Sequence, residues 1–135
     1  VRSVAGLSNW IKLETYVEFL NSLSQEEIIE LLNKAKLLIH TSQFETFGLV
    51  AIEANSMGVP VLSVNNGSLM EVIENNKNGY LSENLLDRNV NNFVNNLLND
   101  KKRFKEIESA CIEKSKQYDW KITSKNLNKI YESLV

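Results

Sequence analysis

The 135-residue sequence is short of the residues that mark several classes of protein. Its single cysteine, Cys111, excludes a disulfide within the chain and is typical of a reducing compartment. One histidine and one cysteine do not supply the ligands of a zinc site, so no metal is expected. No run of 18 apolar residues and no signal-peptide pattern occurs, which predicts a cytoplasmic protein.

A surplus of positive charge is also absent, because 15 basic residues face 17 acidic ones. This balance argues against nucleic acid as a partner. No G-x-G-x-x-G follows a strand, which disfavours a nicotinamide dehydrogenase. What remains is a chain with 43% hydrophobic residues, enough for one domain over residues 1–135 with a real core. Because it starts at Val1 and not at methionine, we expect a fragment of a longer protein.

The most informative stretch runs from Gln43 to Pro60 and reads QFETFGLVAIEANSMGVP. A helix is predicted to begin at Gly48 and to stop at Gly58, which favours the left-handed position after a helix, while Pro60 prevents its resumption. A helix N-terminus offers unpaired N–H groups and a partial positive charge, and Gly48 has no side chain to keep a ligand away. The stretch therefore predicts an anion site, with phosphate as the expected guest.

Two glutamates, Glu45 and Glu53, flank this helix start with seven residues between them. Their backbones are expected to differ by roughly 10 Å along the axis, at 1.5 Å per residue. One reacting bond needs less, because paired glycosidase carboxyls lie about 5–9.5 Å apart. An extended ligand, held by amides at its middle and by a carboxylate at either end, fits better. A nucleotide sugar has this layout of sugar, diphosphate and ribose.

The same stretch resembles the E-x7-E signature of the retaining GT-B glycosyltransferases of family 4. The resemblance runs in order from about Tyr16 to Trp120. Its motifs are Glu45-Thr46-Phe47-Gly48-Leu49-Val50-Ala51-Ile52-Glu53-Ala54, Gly58-Val59-Pro60-Val61, His40-Thr41-Ser42, Asn66-Gly67-Ser68 with Glu71-Val72-Ile73, and Asn78-Gly79-Tyr80-Leu81. Several motifs at matching spacing are much more specific than E-x7-E alone.

The resemblance implies a role for each matching residue. Glu45 would be the catalytic residue that contacts and orients the donor sugar, and Glu53 would bind the ribose. The sugar and phosphate would be held by Thr46, Phe47, Gly48, Leu49, Gly67 and Ser68. Ser68 departs from the second glycine that the family usually has there, which puts its donor contact in doubt.

The family also implies an architecture and a set of partners. The chain would be an α/β domain, a Rossmann-like parallel sheet with helices on both faces, forming the C-terminal half of a GT-B fold. Its ligand would be a nucleotide-diphosphate sugar, with no metal, and a sugar or lipid-linked acceptor would bind through an N-terminal domain, in the synthesis of cell-surface polysaccharide or glycolipid. Peripheral membrane association of the full-length protein, at the inner face, stays open.

One part of the family pattern is missing, which limits what the chain is expected to do alone. The family's phosphate-binding arginine and lysine come from the first strand and helix of this domain, and Arg2 and Lys12 do not stand in that pattern. We therefore expect the chain to bind donor weakly at best and to be inactive by itself.

Other interpretations of the same residues stay open. Glu53 fits a structural acid on a buried helix face, Glu45 an ordinary exposed acid, and His40 a hydrogen-bonded structural residue or, less favoured, a catalytic base. Phe47 fits a core anchor that contributes only its backbone to the site. At the level of function, the rivals are a non-catalytic nucleotide-binding or assembly module and a sugar-nucleotide epimerase of related two-domain architecture.

The remaining patterns predict secondary structure. Strands are expected at Tyr16–Leu20, at 37–39 with both faces covered, and at Val61–Val64. Ser24 and Glu27 form a capping box before a helix that buries Ile28, Leu31, Leu32 and Ala35. A short helix should begin near Leu69. Beyond Gly79 we expect helices with three apolar stripes, each facing the core or another domain. The first stripe contains Val90, Phe93, Val94, Leu97 and Leu98, and the second contains Phe104, Ile107 and Cys111, whose thiol is expected to be inert. The third stripe contains Trp120, Thr123, Leu127, Ile130, Tyr131 and Leu134.

Overall fold

The structure of the chain, a computed structural model, describes residues 16–65 and 67–134. The expectations for Arg2, Lys12 and Asn66 concern residues outside these ranges. The elements are α1 Gln25–Lys34, β1 Leu38–His40, α2 Leu49–Ser56, β2 Val61–Val64, α3 Leu69–Val72, β3 Gly79–Ser82, α4 Arg88–Asn99, α5 Lys101–Ser115, a 3-10 turn Lys116–Tyr118, and α6 Trp120–Glu132.

The three strands form a parallel sheet in the order β1-β2-β3. Parallel neighbours need a crossover, and α2 and α3 supply the two that connect them. The expectation that only helices follow Gly79 was wrong, because β3 begins there. Glycine is a poor strand former, so the pattern hid this strand. It is needed at this point, since Gly79 pairs with Val61 and a Cβ would collide with the Val61 carbonyl.

Apolar residues pack on both faces of the sheet, in two clusters. Successive side chains of a strand point to opposite faces, and Tyr80 joins one cluster while Leu81 joins the other. The first cluster contains Ala51, Ala54, Val59, Val61, Leu69, Val72 and Ile73, and the second contains Phe93, Leu97, Ile107 and Cys111. The predicted α/β fold with helices on both faces is thus confirmed.

The edge of the sheet at β1 is less covered than the sequence suggested. Ile39 is 58% exposed, so the prediction that both faces of this strand are covered was wrong. Tyr16–Leu20 forms no strand, and Leu31 on α1 is 43% exposed, with no residue of that helix fully buried. Within residues 16–65 and 67–134 no strand pairs with the outer edge of β1.

Helix α1 begins where its local signal predicts. The Ser24 hydroxyl accepts a hydrogen bond from the Glu27 amide at 3.3 Å, and the Glu27 carboxylate accepts one from the Ser24 amide at 2.8 Å. This reciprocal capping box satisfies two amides that the helix itself cannot. The predicted capping box is confirmed.

A pair of buried asparagines ties α2 to the segment before β3. Asn78 donates to the Asn55 side chain and to the Val72 carbonyl, and its own side-chain oxygen accepts from the Glu74 amide at 2.7 Å. Asn55 donates to the Val59 carbonyl at 3.1 Å. Both side chains are almost fully buried, and each polar atom has a partner, as burial of an amide requires.

The three C-terminal helices differ in burial. Helix α4 buries Val90, Phe93 and Leu97, and α5 buries Ile107 and Cys111, so the first two predicted stripes reach the core in part. The predicted burial of Cys111 is confirmed, and because burial raises the pKa of its thiol to about 12, we expect this thiol to be inert. The third stripe is not a core face of the described structure, since no residue of α6 is buried there.

Candidate functional site

The loop between β1 and α2 is shaped by one glycine. Gly48 precedes the helix with φ of +84°, a left-handed conformation that side chains disfavour. A Cβ there would also lie 2.6 Å from Cδ2 of Leu69, which is fully buried. At the other end Gly58 has φ of +77° after the helix, as predicted. Both glycines fix α2 against the core and leave its N-terminus at the carboxyl end of the sheet, where α/β folds bind ligands.

Glu45 turns back onto this helix start. Its Oε1 accepts hydrogen bonds from the amides of Thr46 at 3.1 Å and Gly48 at 3.2 Å. The Gly48 amide is the largest influence that lowers the pKa of the Glu45 carboxyl, against partial desolvation, with help from the Phe47 and Thr46 amides and His40. The carboxylate therefore stays charged at neutral pH. The chain's own acid covers the first amides expected to bind an anion.

The next two amides remain available. Within the described ranges, the N–H groups of Leu49 and Val50 have no hydrogen-bond acceptor, as expected in the first turn of a helix. The Leu49 side chain is 62% exposed and the Val50 side chain 42%. The predicted anion site is thus narrowed to this part of the first turn.

His40, at the end of β1, lies between Glu45 and Ser63, which is near the end of β2. Nε2 of His40 lies 3.3 Å from Oε2 of Glu45, and Nδ1 lies 3.3 Å from Oγ of Ser63. The Ser63 hydroxyl donates to the His40 carbonyl at 2.9 Å. The parallel register places these two residues side by side. Ser63 was missed by the sequence analysis, although a polar residue near the end of a buried strand is a signal in its own right.

The second predicted loop meets the first. Oγ of Ser68 donates to the Glu45 carbonyl at 3.1 Å, and Gly67, with φ of +26°, lies beside the same carbonyl. Ser68, the departure from the family's glycine, therefore links the two loops. The helix that follows, α3, has only four residues. Glu45, Gly48, Gly67 and Ser68 thus lie together at one edge of the sheet.

Glu53 lies apart from this group. It is half-buried, so the expected buried face was wrong, and its Oε1 lies 3.5 Å from Nε2 of Gln25 on α1. The two side chains share a cleft of about 170 Å³ whose other lining residues are Ile28, Ile29, Leu32, Ser56 and Met57. Gln25 is a second residue that the sequence did not indicate.

Phe47 is not the core anchor that was expected. Its side chain is 51% exposed and meets the Tyr118 ring edge-on, with centroids 6.2 Å apart. The Tyr118 hydroxyl in turn donates to the Glu71 carbonyl at 3.0 Å. These contacts connect the site loop to the turn before α6.

Two kinds of feature are absent from the described residues. No three His, Cys, Asp or Glu side chains there are grouped as metal ligands would be. Among the same residues, no helix combines the length and apolar character needed to span a membrane.

Residues 6–118 of the chain match the family described as glycosyl transferases group 1. The chain belongs to this family. Among curated relatives, the glycosyltransferase domain is 32% identical over 123 residues to the alpha-1,3/1,6-mannosyltransferase ALG2 of Dictyostelium discoideum, covering 90% of this chain and 29% of the relative. It is 28% identical over 120 residues to an uncharacterized glycosyltransferase of Methanocaldococcus jannaschii, covering 89% of this chain and 34% of the relative.

The fold has solved counterparts as well. HepE of Anabaena, in complex with UDP-glucose, superposes with a TM-score of 0.79 at 28% identity, covering 98% of this chain and 36% of HepE. The GT-B resemblance and the α/β fold class are therefore confirmed. The chain spans about a third of the length of the relatives it matches.

Proposed function

We propose that this chain is the donor-binding, C-terminal domain of a retaining hexosyltransferase that uses a nucleotide-diphosphate sugar. One observation carries the proposal. This chain belongs to the group 1 family, and at the carboxyl ends of β1 and β2 it brings together Glu45, the start of α2 and the loop of Gly67 and Ser68. HepE, a structural relative, is seen with UDP-glucose, which supports this class of ligand.

The residues divide the donor between them. The diphosphate lies against the first turn of α2, where Leu49 and Val50 present amides and the helix dipole favours negative charge. The sugar hydroxyls donate to Glu45, whose oxygens keep lone pairs beyond those used by Thr46 and Gly48. The ribose hydroxyls donate to Glu53 in its cleft with Gln25.

Three other residues of the site act through the backbone or the loops. Phe47 leaves its amide beside the Glu45 carboxylate and helps to hold the group that meets the donor sugar. Gly67 lets the second loop approach closely, and Ser68 holds this loop to the Glu45 backbone. Together they set the width of the space that the sugar occupies.

The chemistry this site can support is electrostatic. Transfer breaks the bond between the anomeric carbon and the diphosphate oxygen, forms one to an acceptor hydroxyl, and releases that hydroxyl's proton. Negative charge grows on the leaving diphosphate, and fixed amides stabilise it without reorganisation. Glu45 orients the sugar, and positioning of this kind lowers the entropic part of the barrier. No metal is required by these steps.

The chain supplies only part of a complete site. Its cleft at Glu53 has about 170 Å³, whereas pockets for whole ligands hold roughly 300–1,000 Å³. The acceptor, a sugar or lipid-linked sugar, and any membrane contact belong to the rest of the full-length protein in this proposal. We therefore expect weak donor binding and no transfer by the chain alone.

An NMR titration with UDP, GDP, ADP and their hexose conjugates tests the donor site. We expect shifts of the Phe47, Gly48 and Leu49 amides. Glu53→Gln should weaken binding of nucleotides and conjugates alike by roughly tenfold, since it removes a charged acceptor. Glu45→Gln should weaken only the conjugates.

Glu132→Gln is the matched control, because it changes an exposed glutamate on α6 far along the chain. It should leave all affinities unchanged. If a folded sample shows no shift with any nucleotide, the donor-site proposal is wrong for this chain. Glu45→Ala in the full-length protein separates enzyme from assembly module, because an enzyme loses transfer and a module keeps its function.

A further inference from the structure

His40 is the only histidine in the chain, and the structure places it between two side chains of the site. Its ring is 14% exposed, with Ser63 on the Nδ1 side and Glu45 on the Nε2 side. Ser63 itself is fully buried. Among the described residues, Glu45 is the one charged group within ion-pair distance of the ring.

The protons in this arrangement can be counted. A serine hydroxyl has one proton, and the shorter of its two contacts, 2.9 Å to the His40 carbonyl, uses it. Oγ of Ser63 keeps lone pairs that can accept from Nδ1–H of His40. A lone pair on Nε2 would face the charged Glu45 carboxylate, whereas Nε2–H donates to it.

We propose that His40 is a positioning residue, whose ring is braced by Ser63 and donates from Nε2 to hold the Glu45 carboxylate in the orientation that the donor sugar meets. Backbone amides fix Oε1 of Glu45, and His40 fixes Oε2, so the plane of the carboxylate is set from two directions. The role for Glu45 rests on the proposed function, whereas the proton arrangement stands on geometry alone.

The arrangement also explains how Glu45 can cover its own helix amides and still serve a ligand. Each carboxylate oxygen has lone pairs to spare after one or two hydrogen bonds. A fixed carboxylate presents those lone pairs at constant positions, and a preorganised acceptor loses less entropy on binding than a mobile one. His40 therefore acts through Glu45 and does not touch the sugar.

Imidazole 15N spectra of the uniformly labelled chain test the proton arrangement, since one histidine gives one ring signal set. We expect Nε2 to carry a proton in the unmodified chain, because it lies 3.3 Å from the Glu45 carboxylate. Glu45→Gln should move the Nε2 signal, because a neutral amide replaces the charged acceptor. Ser63→Ala should move the Nδ1 signal and leave the proton on Nε2.

Two results would overturn the proposal. One is a ring with its proton on Nδ1 alone in the unmodified chain, which would leave Nε2 no proton to donate to Glu45. The other is a ring spectrum that Glu45→Gln leaves unchanged. The amide spectrum shows whether each variant is folded, and if Ser63→Ala is not, the Glu45→Gln comparison decides alone.

A pair of substitutions tests positioning separately from structure. Gln at position 40 keeps a donor near the position of Nε2 and Asn keeps one near Nδ1, so His40→Gln should retain the contact with Glu45 and His40→Asn should lose it. We expect His40→Asn to lower the preference for a sugar conjugate over its free nucleotide by roughly tenfold, and His40→Gln to retain most of it.

The outcomes distinguish the two proposals. Equal losses with both variants would reduce His40 to a structural residue and overturn its positioning role. If no nucleotide binds to the unmodified chain at all, the proposed function fails here, while the ring spectra still decide the arrangement of His40, Ser63 and Glu45.

Discussion

Helices α4 and α6 carry the same kind of apolar stripe, yet the structure treats them in opposite ways. Helix α4 buries Val90, Phe93 and Leu97, whereas α6 buries nothing and leaves Trp120 84% exposed. Both stripes follow the spacing of three and four residues that marks one helix face. The pattern therefore reveals that a face is apolar, but not whether its cover belongs to the same chain.

The exposed face of α6 also includes Leu127, Ile130 and Tyr131, and Leu134 just after the helix is exposed as well. Exposed apolar patches on soluble proteins commonly mark contact surfaces. Its assignment to an interdomain surface stays a prediction, in a chain that spans about a third of its relatives' length. The difference in burial between α4 and α6 can be tested by making matched substitutions in the buried and the exposed region.

The largest expected difference is between the reactivity of a thiol on α5, which packs with α4, and the reactivity of a thiol on α6. Burial raises the pKa of the Cys111 thiol to about 12, and only the thiolate reacts with alkylating reagents. At pH 8, Cys111 should react on the order of a thousandfold more slowly than a cysteine introduced by Ser124→Cys in a Cys111→Ser background. Mass spectrometry of iodoacetamide labelling measures both rates.

The same pKa gives a pH dependence of stability. The folded thiol holds its proton more tightly than the unfolded one, so the stabilisation is complete below about pH 9 and is lost as the pH rises toward 12. Similar iodoacetamide labelling rates at Cys111 and at the cysteine introduced by Ser124→Cys would show that α5 opens readily. The two helices would then differ little in burial.

Truncation of one leucine on each helix compares their packing directly. Leu97→Ala should lower the free energy of unfolding by about 2–5 kcal/mol, because it leaves a cavity in a fully packed core. Leu127→Ala should change it by less than about 0.5 kcal/mol, since Leu127 is already 46% exposed. Urea unfolding followed by circular dichroism measures both, and a large cost at Leu127 would contradict the exposed position of α6.

The buried pair of Asn55 and Asn78 allows the same comparison for polar side chains. Asn78→Ala leaves the Asn55 side chain, the Val72 carbonyl and the Glu74 amide without their partner, at an expected cost of about 1–3 kcal/mol. Asn91→Ala on the exposed side of α4 is the control and should stay within about 0.5 kcal/mol. Equal effects in urea unfolding would mean that the buried network contributes little.

The smallest expected effects belong to helices that bury nothing, α1 and α6, which begin with side-chain caps. Ser24 caps α1 and Asp119 caps α6 by accepting from the Lys121 amide at 2.7 Å. Alanine at either position should cost about 1 kcal/mol of local helix stability, seen as faster amide hydrogen exchange in that helix alone. Loss of structure throughout the chain would show that these helices support the core more than their exposure suggests.

The sequence was most informative where a signal is local. Gly48, Gly58 and Pro60 delimit α2 through backbone preferences, and the Ser24 capping box does the same for α1, so these boundaries were predictable. The strand expected at Tyr16–Leu20 failed because composition favours a strand only where a neighbour is available to pair with it. Burial on α1 failed for the same reason.

The site itself was predicted as a set of residues rather than as a set of contacts. Glu45, Gly48, Gly67 and Ser68 come together as expected, yet no pattern indicated that Glu45 would accept from its own helix amides. The contact between His40 and Ser63, which depends on the register of two strands, was equally hidden. Negative side chains are stabilised at helix N-termini, which offers a signal for the first of these contacts.

The hydrogen bonds that hold Asn78 also affect how the chain ages chemically. Asn-Gly sequences deamidate when the glycine nitrogen attacks the side-chain carbonyl carbon and closes a five-membered ring. In the folded chain, contacts with Asn55, Val72 and Glu74 hold the Asn78 amide and prevent that approach to Gly79. Deamidation at this position should therefore accumulate only while the region is open, so the fraction converted to aspartate in a stored sample records the time this region has spent unfolded.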